Sequence, residues 1–346
     1  MAAKIQIEPV ALADEAAVRA FLVKSIERPG AAAGMPDGWL AWLSRGAECA
    51  GVADIPVGWK LVSEGELGGV HLVVPFRVAA EGGEAISIQS AGFYVDPRWH
   101  GPASGALFMA LVKHRSRFHC SVGTANEASA AVWKAFRAEQ NPGSGEEFCV
   151  MSAHPSLLEE ALVRRMSWLT KLLPKSAPGV RASLPRRLAS LREALRTAVT
   201  EHGAEAVESC AALPFSGAGA LPTAELLRWK LSAPDPRHTL LALTHQGAGC
   251  AAFFTAATRG HRAQAATLSV SAVWGPAWDA DAGGVLEMIL TAARKEFPFI
   301  TVGFSPIPEA AGVLLRRRSL DAPRRWLAKS PAQPAPLPGW NGLDAL

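Results

Sequence analysis

The stretch Ile86–Val112, ISIQSAGFYVDPRWHGPASGALFMALV, restricts what the chain can fold into more than any other. Apolar residues crowd up to Val95, and Asp96-Pro97 then ends the strand, because proline has no N–H to give to a ladder. A run of small residues with two glycines follows, His100-Gly101-Pro102-Ala103-Ser104-Gly105-Ala106, and Leu107–Val112 resumes with helical character. The stretch reads as a strand, a tight turn and a helix. Such a turn leaves backbone N–H groups unpaired at the helix N-terminus, where the positive end of the helix dipole sits. A phosphate or pyrophosphate suits that place.

The surroundings of this stretch read as mixed α/β. Lys4–Val10 alternates polar and apolar residues, as a strand does. Asp14 can cap a helix over Glu15–Ile26, and Asp37 a second over Gly38–Arg45. Trp59–Ser63, Gly69–Val78 and Ala85–Val95 are separated by Gly-rich turns and predict an antiparallel meander. After the helix come a strand at Phe118–Val122, a helix from Glu127 to about Glu139 and a strand at Phe148–Ser152. The order β-α-α-β-β-β-α-β-α-β predicts a mixed sheet with helices on both faces. From Ala204 onward the element order repeats. A short helix at Leu226–Leu231 precedes strands at Thr239–Thr244, Gly249–Thr255 and Ala266–Val273. Then come a helix capped by Asp281, a strand at Phe299–Gly303, a helix at Glu309–Arg316 and a strand at Arg324–Ala328.

These elements divide the chain into a first domain over 1–155, a basic linker over 156–200, a second domain over 201–330 and a Pro-rich tail over 331–346. Between Arg164 and Arg196 the basic residues face only Glu193. The run reads as a solvated linker, or as a contact for an acidic carrier protein, an anionic lipid or glycan, or a phosphorylated cofactor. The overall charge of +4 is too mild to argue for nucleic acid. Five scattered cysteines form no CxxC pair and no metal-ligand spacing. The opening residues hold no apolar core of a secretory signal, and no run approaches the ~18 apolar residues of a membrane span. The expectation is a cytoplasmic protein with free thiols, without a metal and without an integral membrane segment.

With the elements placed, the chain resembles the GNAT (N-acetyltransferase) superfamily. Its pattern of a strand, a Pro-containing turn, [Arg/Gln]-x-x-Gly-x-[Gly/Ala] and a helix stands here as Tyr94-Val95-Asp96-Pro97-Arg98-Trp99 followed by His100-Gly101-Pro102-Ala103-Ser104-Gly105. A second block, an Asn before a helix that carries a Tyr, stands as Gly123-Thr124-Ala125-Asn126 and the helix reaching Trp133. The match covers about residues 1–155, and the second half looks like a degenerate copy. The resemblance implies α/β (α+β) architecture: two GNAT-like domains, each a mixed, mostly antiparallel sheet flanked by helices. It implies acetyl-CoA or another acyl-CoA as donor substrate. Phe93, Tyr94 and Val95 would pair with the pantetheine arm. His100, Gly101, Ala103, Ser104, Gly105 and Ala106 would hold the pyrophosphate, and Asn126 would contact pantetheine. His100 and Ala103 replace the usual Arg/Gln and Gly, Pro102 removes an N–H, and Trp133 replaces a Tyr that protonates the leaving thiolate. An indole cannot do that. The second half carries acidic residues, Asp279 and Asp281, where a pyrophosphate would sit, so cofactor binding is expected in the first half alone.

The catalytic candidates are Ser90, His71 and Tyr94. Tyr94 reads as an acid or as a core hydroxyl, and His71 as a base or as a packed strand histidine. Gln89 and Ser90 stand where some family members place a Glu base, so a base would have to work through water. His114 and His119, beside Lys113, Arg115 and Arg117, read as a solvated helix end or as contacts for the CoA 3′-phosphate. Trp39, Trp42 and Trp99 are core residues or lining of an acceptor pocket. Two functions follow. One is an N-acyltransferase moving an acyl group, acetyl first, from a CoA thioester to an amine of a small molecule or sugar, with an acyl-carrier protein as a possible donor partner. The other is a non-catalytic GNAT-fold protein that binds CoA, a glycan or a protein.

Overall fold

Two tight turns set the starts of two sheets. Glu64-Gly65 and Gln246-Gly247 each hold positive φ at both residues, 52° and 81° in the first and 51° and 80° in the second. Those angles define a type I′ turn, whose twist matches that of the strands it joins. The computed structural model of the chain describes residues 5–25, 36–80, 83–125, 127–135, 137–140, 146–151, 179–216, 219–235, 237–259, 265–303, 307–319 and 324–329. Asn126, residues 156–178 of the expected linker and the Pro-rich tail lie outside the described residues.

In the first half, β1 (Ile5–Pro9) is followed by α1 (Glu15–Ser25) and α2 (Trp39–Cys49). Then come β2 (Gly58–Ser63), β3 (Glu66–Ala80), β4 (Gly83–Val95), α3 (Pro102–Val112), β5 (Cys120–Ala125) and α4 (Glu127–Ala135). Two further strands, β6 (Glu139–Gln140) and β7 (Glu146–Met151), precede the second half. Next stand α5 (Gly179–Ala182), α6 (Leu184–Ala194), β8 (Val199–His202), α7 (Val207–Ala211) and α8 (Ala224–Leu231). The meander β9 (His238–His245), β10 (Ala248–Arg259) and β11 (Ala265–Trp274) leads into α9 (Pro276–Ala280) and α10 (Ala282–Ala293). The chain closes with β12 (Phe299–Val302), α11 (Glu309–Gly312), β13 (Arg316–Ser319) and β14 (Arg324–Lys329). Both halves are thus a mixed sheet with helices packed on it, the architecture expected from the element order. Proline is tolerated at Pro75 inside β3 for a local reason. Val73 donates to Val57 and Arg77 accepts from Leu221 on one edge of β3, so the intervening Pro75 faces that edge beyond the end of β2.

The strand orders are β1-β2-β3-β4-β5-β14-β6 and β8-β9-β10-β11-β12-β7-β13. They are the same order written twice, with one exchange. β7, from the first 155 residues, enters the second sheet between β12 and β13, and β14, from the end of the chain, enters the first between β5 and β6. Among the described residues one pair alone in each sheet is parallel, β4 with β5 and β11 with β12.

The described part of the basic run is structured. Leu184, Leu188 and Leu191 are buried on one side of α6 and join the core of the second half. Pro185 stands in the first turn of that helix, where its missing N–H costs nothing, so it starts the helix instead of breaking the segment. The expected helix over Glu309–Arg316 stops at Gly312, and Arg316 begins β13.

A single buried cluster crosses from one half to the other. It takes in α1, α2 and one face of the first sheet, α7, α8 and one face of the second. At its centre Trp42 of α2 and Trp229 of α8 stack with ring centroids 4.7 Å apart and planes 14° from parallel. Trp42 Nε1 donates to the Trp229 carbonyl at 2.8 Å, and Trp229 Nε1 donates to the Trp42 carbonyl at 2.6 Å. Gly46 permits this closeness, because a Cβ there would lie 2.9 Å from Val74 and 3.1 Å from the Trp229 ring.

Trp229→Ala should cost about 3–5 kcal/mol in urea unfolding. Trp229→Phe, which keeps a ring and removes only the indole N–H donated to the Trp42 carbonyl, should cost less, about 1–3 kcal/mol. Residues 1–155 produced alone should aggregate or stay unfolded, since β5 loses its partner β14; co-expression with the remainder should restore a soluble pair.

Candidate functional site

β4 and β5 run together only over the rungs Ile88–Ser121, Gln89–Val122 and Ser90–Gly123. Beyond Ser90 they part. β4 stays with β3, through Gly92–Leu72, Phe93–His71, Tyr94–Val70 and Val95–Gly69, after a bulge that inserts Ala91. β5 stays with β14, through Gly123–Trp326, Thr124–Arg325 and Ala125–Arg324. Each arm is held from outside, so a fork opens with its apex at the rung Ser90–Gly123. A bulge adds local twist and bends the strand that carries it.

The fork's β4 arm runs straight into the turn and helix α3. Asp96 accepts from Arg98 N at 3.0 Å and starts a 3-10 turn, and Gly101, with φ 88°, swings the chain into α3. That angle favours glycine. The first helical hydrogen bond is Gly105 N to Gly101 O. Pro102 has no N–H, so the N–H groups of Gly101, Ala103 and Ser104 are those that the helix leaves without an internal partner. No acidic residue stands in the first turn, and a Cβ added at Gly101 or Gly105 would meet open space. A pyrophosphate fits this end of the helix. His100 is exposed, and its Nε2 donates to the Val95 carbonyl at 3.1 Å, which steadies the turn. Arg98 is committed to Asp96 and Glu66, at 3.0 and 2.7 Å, and holds the Asp96 carboxyl at about 2, well below the ordinary carboxylate range. Of the basic cluster after α3, Arg117 pairs with Asp54 at 2.7 Å and His114 stacks on Trp59.

The catalytic candidates do not meet as a group of three. His71 and Ser90 do meet: His71 Nε2 lies 2.9 Å from Ser90 Oγ, on the face of the sheet beneath α3. His71 is fully buried, stacked on Phe108 at 5.4 Å and edged by Phe93 at 5.0 Å. Burial pushes its pKa down to about 3, so the imidazole is neutral, and its Nδ1 is enclosed without a partner. Tyr94 lies on the opposite face and packs against the core between the halves. Trp133 is buried beneath α3, edge-on to Phe108 at 5.1 Å. It rests against Gly123, where a Cβ would collide with its ring. Trp39 and Trp42 belong to the core between the halves, and Trp99 lies against Gly68, where a Cβ would fall 2.7 Å from its ring.

The sequence reading missed the bulge at Ala91, the role of Gly123 and the arrival of β14. A glycine inside a strand, as Gly123 is, signals close approach of another group. The second half repeats the fork. β11 and β12 pair up to Val270–Val302, then β11 bulges at Ser271. There the helix end is already filled. The Asp281 carboxylate caps α10 through Gly284 N at 2.8 Å, and its other oxygen lies 3.0 Å from His245 Nε2 and 3.1 Å from Gln246 Nε2.

No helix among the described residues is long and apolar enough to cross a membrane. No protein-family model matches the sequence, and no curated protein matches it. Solved structures do. A GCN5-related N-acetyltransferase from Kribbella flavida superposes with a TM-score of 0.50 at 13% identity, over 94% of this chain and 71% of that one. A conserved protein of unknown function from Enterococcus faecalis V583, described as a probable N-acyltransferase, superposes with a TM-score of 0.52 at 10% identity, over 94% of this chain and 72% of that one. With its doubled strand order and its forked parallel pairs, the chain is a protein of the GNAT fold, built as two GNAT-like units in one polypeptide.

Proposed function

We propose that the first half binds an acyl-CoA along the fork and that the protein is an N-acyltransferase, passing the acyl group to an amine of a small molecule or sugar. The observation that carries this reading is the continuity between the fork and the free N–H groups of α3. A thioester at the apex would have its pantetheine arm along residues 91–95 and its pyrophosphate at Gly101, Ala103 and Ser104. The second half would not take the donor, because Asp281 already supplies the anion at its helix end.

The chemistry asked of the chain is modest. A neutral amine attacks the thioester carbonyl, a tetrahedral oxyanion forms, and the C–S bond breaks to release thiolate. Holding the reactants in line supplies much of the rate. Backbone N–H groups aimed at the oxyanion would supply more. His71, neutral and enclosed, is a poor base for the incoming ammonium; with Ser90 it stiffens the fork apex, and the proton leaves through water. Trp133 at the position of the family's acid supports a second reading, a GNAT-fold protein that binds CoA without transferring the acyl group. Thiol release measured across a panel of amines separates the two readings. Binding of acetyl-CoA without release from any amine favours the second.

Gly105→Glu places a carboxylate in the open space beside the first turn of α3. Calorimetry should show affinity for acetyl-CoA falling by at least about tenfold, with thermal stability kept or raised, because a carboxylate near a helix N-terminus is favourable. Unchanged affinity would put the ligand elsewhere. His71 adds a pH signature. Its folded pKa lies below the ordinary 6.5, so the unfolded chain binds the extra proton. Its contribution to stability is complete above about pH 6.5 and falls steadily toward pH 3. Urea midpoints of His71→Leu should therefore decline less between pH 7 and pH 4 than those of the unsubstituted protein.

A further inference from the structure

The fork apex is sealed by packing that the proposed chemistry does not use. In the plane of the sheet the rung Ser90–Gly123 closes it. Beneath α3 the Trp133 indole occupies the volume that any side chain at position 123 would need, and it lies beside Ser90 Cβ, itself 3.1 Å from that missing Cβ. Phe108 meets Trp133 edge-on, stacks on His71 and is met in turn by Phe93, at centroid distances of 5.1, 5.4 and 5.9 Å. Trp133 and Phe108 are each 2% exposed and His71 is 0% exposed, so this side holds no room for another chain of carbons. On the opposite face the Tyr94 ring covers Gly92, where a Cβ would lie 3.2 Å from its Cε2. Ala91, the bulge residue, is the small group between these two covers.

We infer that Trp133, seated on Gly123, is the residue that limits the donor to a short acyl group, acetyl before all others. The inference rests on the reading of the fork as an acyl-CoA site. A two-carbon acyl group ends at the apex. A longer tail has to leave the plane of the sheet. On one face it meets the indole and the rings behind it; on the other it meets the Tyr94 ring over Gly92. Interiors are close-packed, so even one methylene without room is felt. Gly123 and Trp133 form a matched pair in this arrangement, since the indole reaches the apex only because position 123 has no side chain.

The test uses the full chain and calorimetric titration with free CoA, acetyl-CoA, butyryl-CoA and octanoyl-CoA. The expected result is a preference for acetyl-CoA over butyryl-CoA of about tenfold or more, the scale on which a pocket rejects surplus methylenes. Trp133→Phe should narrow that preference, and Trp133→Ala should abolish or invert it. The Phe variant keeps an aromatic partner for Phe108, and thermal melts verify that each variant is folded. Octanoyl-CoA binding the unsubstituted protein as tightly as acetyl-CoA would overturn the inference. So would an unaltered acetyl-to-butyryl ratio in the folded Phe variant. Failure to bind any CoA species, free CoA included, would sink the acyl-CoA reading itself and this inference with it.

Discussion

The architecture depends on the reciprocal contact between Trp42 and Trp229. Each indole stacks on the other, and each N–H is satisfied by the other's backbone carbonyl. A buried Trp ordinarily has to find a partner for its N–H, and here the two solve the problem for one another. The contact ties α2 to α8 in the layer between the two sheets. One face of each sheet is therefore buried in a common core, and the halves are joined by packing as well as by chain. The strand exchange adds a second tie, since β7 and β14 each complete the sheet of the other half.

The fork follows from that arrangement. Two parallel strands separate only if each has somewhere else to place its backbone hydrogen bonds. β4 has β3 on its outer side, and β5 has β14. The bulge at Ala91 bends β4 away, and the turn ending at Gly101 delivers the first N–H groups of α3 to the open end. The second half has the same fork and the same bulge position, with an aspartate placed at the helix end. A carboxylate thus stands at the second helix end, where the first turn of α3 has none.

Much of this was legible in the residues. The Pro-containing turn, the small residues after His100 and the alternating strands located β4, α3 and the meanders closely, because each depends on local backbone chemistry. Asp281 as a cap was legible for the same reason. Partner choice was not. Nothing in Glu146–Met151 or Arg324–Lys329 declares which sheet it joins, since a strand's pairing is decided by the edge left open elsewhere. The leucines of α6 carry helical spacing, yet the arginines around them disguised it as a solvated run. Trp133 was readable as a departure from the family pattern, but its seat on Gly123 was not, because residues ten apart in sequence met only through the fold.

The exchanged strands also bear on the order of events as the chain is made. The outer wall of the first fork is Arg324–Lys329, so the rungs that fix Thr124 and Ala125 wait for a strand that lies far later in the chain. Contacts so distant along the chain form late, after the costly closure of a long loop. Until then β5 presents an open edge and the apex beside it lacks its outer support. The first half therefore acquires its fork only after Arg324–Lys329 has been made, and the nascent protein holds a ready helix end before it has a cleft to go with it.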